Sequence, residues 1–250
     1  MPDIKWGFST IGCPDWTLEE ASCFGLQANY PLLEVRITGK DFPERALLRR
    51  LGEEKRCLIL GTSFGLISDS PDFRTMLKDC ALLAADCAVP YIRIFGGCAF
   101  SEPFEEDKFD NARRNLAFFD SLNLPVELIL ETHDCFSSAQ RVCKLFEKLD
   151  RTLPVIWDTY HTFFSGKESL SKSWELLKDF IKDVHVKDGS PAGLTLPGKG
   201  KFPLTELFNL LKEQNYSGLI TCEHEKMWHK ELPDLPEAIR ALAPFKKILD

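Results

Sequence analysis

The chain has 250 residues, 44% of them hydrophobic and 28% charged, with a formal net charge of −7. That length carries a well-buried core, while the acidic total argues against nucleic acid or an anionic membrane surface as partner. Nine scattered cysteines with no CxxC pair exclude a disulfide framework or a zinc ribbon. The opening MPDIKWGFST also lacks a secretory pattern, so reduced thiols in the cytoplasm are the expectation.

Eight short β-like runs follow one another along the chain, at 4–10, 32–37, 58–64, 91–96, 126–133, 155–159, 184–187 and 218–224. Several are nearly continuous apolar stretches, as parallel strands covered on both faces should be. Helical spacing lies between them. The segment 70–87 puts Phe73, Met76, Leu77, Cys80, Leu83 and Ala84 on one stripe, and 137–149 does the same with Val142, Leu145, Phe146 and Leu149 behind a serine cap. Segments 171–181 and 202–215 repeat the pattern, and a last helix is predicted over 235–249.

Alternation of this kind means a parallel sheet. Eight such units in 250 residues match a (β/α)8 TIM barrel, with 1–250 read as a single domain. No GxGxxG follows the first strand to favour an open doubly wound sheet. No stretch approaches the roughly 20 apolar residues of a membrane-spanning helix.

In such a barrel chemistry gathers at the C-terminal strand ends. The fifth run closes on Glu131, Thr132, His133 and Asp134, the sixth on Asp158 and His161, the seventh holds His185 and Lys187, and the eighth Glu223 and His224. All five histidines fall at or after residue 133, and four of them stand at these ends. Alone, Asp158 reads as a helix cap and His185 as a satisfied core histidine. Glu131 and Glu223 are harder to place, because a carboxylate closing an apolar run costs several kcal/mol or shifts its pKa. One divalent cation would offset that cost for Glu131, Asp158, His185 and Glu223 together. Three carboxylates and one imidazole suit manganese first, then cobalt, magnesium or zinc.

With these residues, and with the late stretch PGKGKFPLTELFNLLKEQNYSGLITCEHE, the chain resembles the xylose isomerase-like TIM barrel superfamily, the sugar phosphate isomerase/epimerase group that includes ketose 3-epimerases. The resemblance implies that Glu131, Asp158, His185 and Glu223 hold one divalent metal and that Glu131 and Glu223 are the catalytic acid and base. It implies a small-molecule sugar or polyol-derived ketone as partner, and it leaves a homo-oligomer open. It also marks His161, Lys187, Glu34, Arg36 and His133 as candidate substrate-binding residues, although an internal ion pair would explain Glu34 and Arg36 equally well. Trp16 and Phe100 are candidate walls of the sugar pocket, and Lys199 and Lys201 candidate phosphate contacts.

Three other functions stand beside this one. An inosose or dehydroshikimate-type dehydratase would share the metal and both glutamates. A non-catalytic sugar-binding barrel would not require two proton-transfer groups. An endonuclease IV-type abasic-site nuclease would need further histidines on earlier strands, where this chain has none before residue 133.

Overall fold

The computed structural model describes residues 3–38, 43–98 and 106–249. Its parallel strands close into the predicted eight-stranded barrel: β1 (Ile4–Ser9), β2 (Leu32–Arg36), β3 (Cys57–Gly65), β4 (Tyr91–Phe95), β5 (Glu127–Glu131), β6 (Val155–Asp158), β7 (Ile181–Val186) and β10 (Gly218–Cys222). Between β7 and β10 lies an antiparallel hairpin, β8 (Asp188–Ser190) and β9 (Gly193–Thr195), which the sequence reading treats as loop. The ring closes where β10 pairs with β1, from Ile4↔Gly218 to Phe8↔Cys222. Strand β2 therefore stands diametrically opposite β6, four places away in either direction.

The outer layer consists of α1 (Leu18–Ala28), α2 (Arg45–Glu53), α3 (Pro71–Asp86), α4 (Glu106–Ser121), α5 (Ala139–Leu149), α6 (Thr159–Phe164), α7 (Leu170–Leu177), α8 (Leu204–Glu213) and α9 (Leu235–Leu249). Their apolar stripes face the barrel, as the spacing requires. In α3, Phe73, Leu77, Cys80 and Ala84 are buried while Arg74 and Lys78 are exposed. Two expectations change in detail. Ser138 does hold the N-cap position of α5, but its hydroxyl accepts no amide: the buried Glu168 carboxylate accepts from the Ala139 and Gln140 amides and from the Ser138 hydroxyl. The helix predicted over 171–181 ends at Leu177, because Ile181 is buried and already pairs with Val155 as the first residue of β7. Six of the nine cysteines are buried, and all nine are free thiols. No described helix is long and apolar enough to cross a membrane.

Inside the barrel the two-residue period of a strand sorts side chains into layers. Trp6, Phe8 and Trp157 turn outward to the helices, where Trp6 stacks on Phe208 and Phe8 meets Phe24. Alternate residues turn inward. Leu32, Ile59, Ile129, Ile156 and Leu219 form a separate apolar plug at the lower level. Above and between these residues the interior becomes polar: Glu34 and Thr221 lie two residues beyond Leu32 and Leu219, and Arg93 and Asp183 enter from β4 and β7, all four buried. Gly61 makes room for this layer, since a Cβ there would lie 2.9 Å from Glu34 Oε1. The upper layer is the candidate site.

Candidate metal centre and active site

Glu131 and Asp158 are the last residues of β5 and β6, His185 is the penultimate residue of β7, and Glu223 directly follows β10. Side-chain parity turns all four inward, and strand pairing puts Asp158 beside His185 and His185 beside Thr221. One ligand atom from each lies within 4.8 Å of the others, and all four residues are buried. Closure of the ring is what brings together groups 92 positions apart in sequence, from 131 to 223.

Asp158 shows how the sequence PVIWDTYH does two things at once. Its Oδ1 accepts the His161 amide at 2.9 Å and caps α6. Its Oδ2 turns into the cluster, buried and without a hydrogen-bond partner, although the Lys187 ammonium lies 2.7 Å away. The cap reading and the ligand reading thus hold for different oxygens. His185 is not a satisfied core histidine: both ring nitrogens lack hydrogen-bond partners, while Glu34 and Glu223 oxygens approach to 3.3 Å.

Two buried cations thread this cluster. Arg93 places Nη1 3.0 Å from Glu131 and 3.3 Å from both Glu34 and Glu223, and its remaining nitrogens donate to the Thr62 carbonyl. Lys187 places Nζ against Asp158, Glu223 and Glu225 at 2.5–2.7 Å. Neither Arg93 nor Glu225 was singled out by the sequence reading. The signal for Arg93 was a charged residue inside the apolar run YIRIF, the same anomaly that exposes Glu131 in ELILE.

The two glutamates are driven in opposite directions. Burial pushes the Glu131 carboxyl up to about 7, against the pull of Arg93. Burial opposes ionisation of Glu223 as well, but Lys187 and His185 outweigh it and hold its carboxyl well below the usual range. Burial also works against the charged form of His185, yet Glu223 and Glu34 raise the imidazole well above its ordinary value.

The donor set fits a divalent cation. Glu34, Glu131, Asp158, Asp183, Glu223 and Glu225 supply six carboxylates against two permanent cations, Arg93 and Lys187. Beyond their ion pairs with Arg93 and Lys187, the buried Glu131 Oε2 and Asp158 Oδ2 have no hydrogen-bond partner, nor does His185 Nδ1, and one ligand atom from each residue lies within 4.8 Å of the others. Buried polar atoms are rarely left unpaired without a ligand to account for them.

The other expected residues divide. Lys187, His133 and Arg36 line a cavity of about 240 Å³ above the cluster, together with Phe95 and Trp228. His133 stacks on Phe95 at 4.4 Å and shares a 2.7 Å hydrogen bond with Asp134. His161 sits behind it, edge-on at 4.3 Å, with Nε2 3.4 Å from Lys187 Nζ. Burial and the neighbouring ammonium hold His161 well below its ordinary pKa, so its 3.7 Å approach to Asp158 is not an ion pair.

Glu34 lies beneath the cluster and is not among the residues lining that cavity; it accepts Ser9 Oγ at 2.7 Å and backs His185. Glu34 and Arg36 do not pair with each other either. Glu34 pairs with Arg93, whereas Arg36 donates to the carbonyls of Gly61 and Thr62 and to Ser63 Oγ. Trp16 packs on Phe24 and faces a different cleft, of about 430 Å³, that contains none of the clustered carboxylates. Lys199 and Lys201 are exposed and line neither space, and Phe100 lies outside the described residues.

Comparison with known proteins agrees with the fold. The family model described as xylose isomerase-like TIM barrel matches residues 29–245. No curated protein matches the chain by sequence. Among solved structures, D-allulose 3-epimerase from Methylomonas sp., in complex with D-allulose, superposes with a TM-score of 0.75 at 16% identity, covering 99% of this chain and 98% of that one. The probable 3-DHS dehydratase AsbF from Bacillus anthracis gives a TM-score of 0.75 at 18% identity over 98% and 99% of the two chains. The IOLI protein with a bound zinc atom gives 0.74 at 16% identity over 100% and 98%.

Proposed function

The chain belongs to the xylose isomerase-like TIM barrel family, and from that premise we propose that it is an isomerase or epimerase of sugars or sugar phosphates that depends on one divalent cation. Glu131, Asp158, His185 and Glu223 would hold the ion. Manganese is the first expectation for a set of three carboxylates and one imidazole, with cobalt, magnesium and zinc behind it. The partner is a small ketone, not nucleic acid or a membrane.

One observation carries the reading. Two glutamates from strands separated by β6 and β7 converge on one cluster, share Arg93, and are pushed to opposite protonation preferences. Pairs of carboxyls driven apart in this way are suited to acid and base roles on one substrate. When bound, the cation would polarise the ketone and offset charge on the enediolate. Glu223 and Glu131, standing on different sides of the ion, would act as the pair that takes a proton from the neighbouring carbon and returns one from the other side. Lys187, against Glu223, would steady the oxygen on which negative charge grows. Phe95, His133 and Trp228 wall the cavity.

The test is proton exchange at the carbon beside the carbonyl, followed by NMR in deuterated water across a panel of ketoses with the manganese-loaded protein. Exchange should occur with at least one ketose and fall by about three orders of magnitude or more in Glu131→Gln and Glu223→Gln. Near-normal exchange in either variant would remove that glutamate from the proposed role. Absence of exchange with every ketose, despite bound ion, would leave a sugar-binding barrel. Likeness to the probable 3-DHS dehydratase supports a second reaction on the same groups. Loss of one water from the product, detected by mass spectrometry, would favour it over epimerisation.

A further inference from the structure

We propose that the substrate carries an oxyanion, a carboxylate or a phosphate ester, at the end remote from the cation site, and that Arg36 receives it at the rim between β2 and β3. The inference rests on the preceding reading only for the position of the ketone end.

Three cations line the 240 Å³ cavity. Arg93 and Lys187 each face three carboxylates. Arg36 faces none within 4.0 Å among the described residues. Its Nη1 donates to the Gly61 and Thr62 carbonyls at 3.3 and 3.1 Å, and Nη2 donates to Ser63 Oγ. These neutral acceptors fix the head of the side chain without cancelling its charge. The Nε–H is buried without a hydrogen-bond partner, so the fork is oriented but its hydrogen-bonding capacity is not exhausted.

Position supplies the second argument. Arg36 ends β2, and β2 stands opposite β6, whose last residue is Asp158. The candidate ligands that line this cavity are Glu131, at the end of β5, and Glu223, just after β10, three and two places round the ring from β2, so a short chain with its ketone over them extends toward Arg36 at the rim. The third observation is Trp228, which is 56% exposed yet holds its ring 6.0 Å from the guanidinium carbon. A large aromatic kept at a rim over a fixed, uncancelled cation makes one wall of a subsite, with the exposed Ser63 hydroxyl as a further donor. Planar guanidinium forks bind carboxylate and phosphate oxygens in pairs, which is the chemistry this rim offers.

Matched probes test it: D-fructose, D-fructuronate and D-fructose 6-phosphate share a ketone and differ only at the far end. Titration calorimetry on the manganese-loaded full chain should show at least one anion binding about tenfold or more tightly than fructose. The carboxylate and phosphate arms identify which oxyanion is preferred. In Arg36→Gln the ratio should collapse toward one, and in Arg36→Lys it should be only partly retained, with melting curves confirming that both variants are folded. Equal affinity for all three probes, or a ratio unchanged in Arg36→Gln, would overturn the proposal and leave Arg36 as a strap between strands. Proton exchange in the same samples separates the two readings. Exchange without anion preference sinks the subsite alone, and anion preference without exchange sinks the proposed reaction alone.

Discussion

Replacing Arg93 by methionine tests whether the buried charge layer is real. The residue is 1% exposed, Nη1 faces Glu34, Glu131 and Glu223, and the guanidinium carbon sits 4.7 Å from the centre of the Phe95 ring. Methionine fills a similar linear space, so the loss is chiefly electrostatic. Removing one partner of a buried ion pair costs about 3–5 kcal/mol because an uncompensated charge is left behind. Here the lower part of that range applies, since Glu223 keeps Lys187 and Glu131 can take a proton. Glu34 is left with His185 and Ser9. At about 2–4 °C per kcal/mol for a chain of this size, the melting point of the metal-free protein should fall by roughly 6–12 °C at pH 7.5. The gap should narrow in acid. Burial opposes the charged form of Glu34, but Arg93 and His185 outweigh it and hold the carboxyl below its ordinary value of 4.5. That stability is present above 4.5 and is lost as pH falls below it. Calorimetry of wild type, Arg93→Met and the exposed control Arg45→Met decides the matter. A melting point for Arg93→Met within about 2 °C of wild type, like the control, would refute the reasoning.

Three further outcomes follow from the same geometry. Asp158→Asn retains the Oδ1 that caps α6 but weakens the inward ligand, so manganese affinity should drop by about tenfold or more with little change in helix content, read by calorimetry and circular dichroism. Lys187→Met removes an ammonium lying 2.6–2.7 Å from two ligand oxygens, so manganese should bind about tenfold more tightly while exchange slows; weaker binding would show that Lys187 orients those oxygens instead of competing for them. Manganese affinity should fall between pH 8 and 6, because Glu131, pushed up to about 7 in the folded chain, must surrender its proton to ligate. The same group bears on stability in the reverse sense: its raised carboxyl favours the metal-free fold below 4.5, and that contribution is lost as pH rises through about 7. Calorimetry in buffers of different ionisation enthalpy would count the protons released.

What was legible in the sequence follows from the range of the contacts involved. The barrel shows through because each β/α unit announces itself locally: the apolar run of β6, the stripe of α3 and the spacing between them are properties of about 30 consecutive residues. The four candidate ligands show through because strand ends are local landmarks and all four side chains rise toward the same rim. The layer beneath did not, for a physical reason. A strand buried on both faces carries little polar alternation: in YIRIF only Arg93 marks the axis face, and in DVHV the alternation is confined to four residues, Asp183 and His185 against Val184 and Val186. Parity settles that only once the register is known, and the β2–β3, β3–β4 and β6–β7 pairings all contain irregularities that a count along the chain would miss. Glu34 and Arg36 illustrate the consequence. Two opposite charges two residues apart on one strand invite pairing, yet both point to the axis at different heights, and each is met by a group from another strand. The cap of α5 by Glu168 has the same origin, with donor and acceptor 29 residues apart from Ala139. A charged layer in a barrel is stable only because the closed ring sets Arg93 against carboxylates from β2, β5 and β10 at once. An open sheet with the same strands would leave those charges unpaired. The interior charges are therefore themselves an argument for closure, and a buried arginine in an apolar run is the sign by which such a layer could be sought in a sequence of this kind.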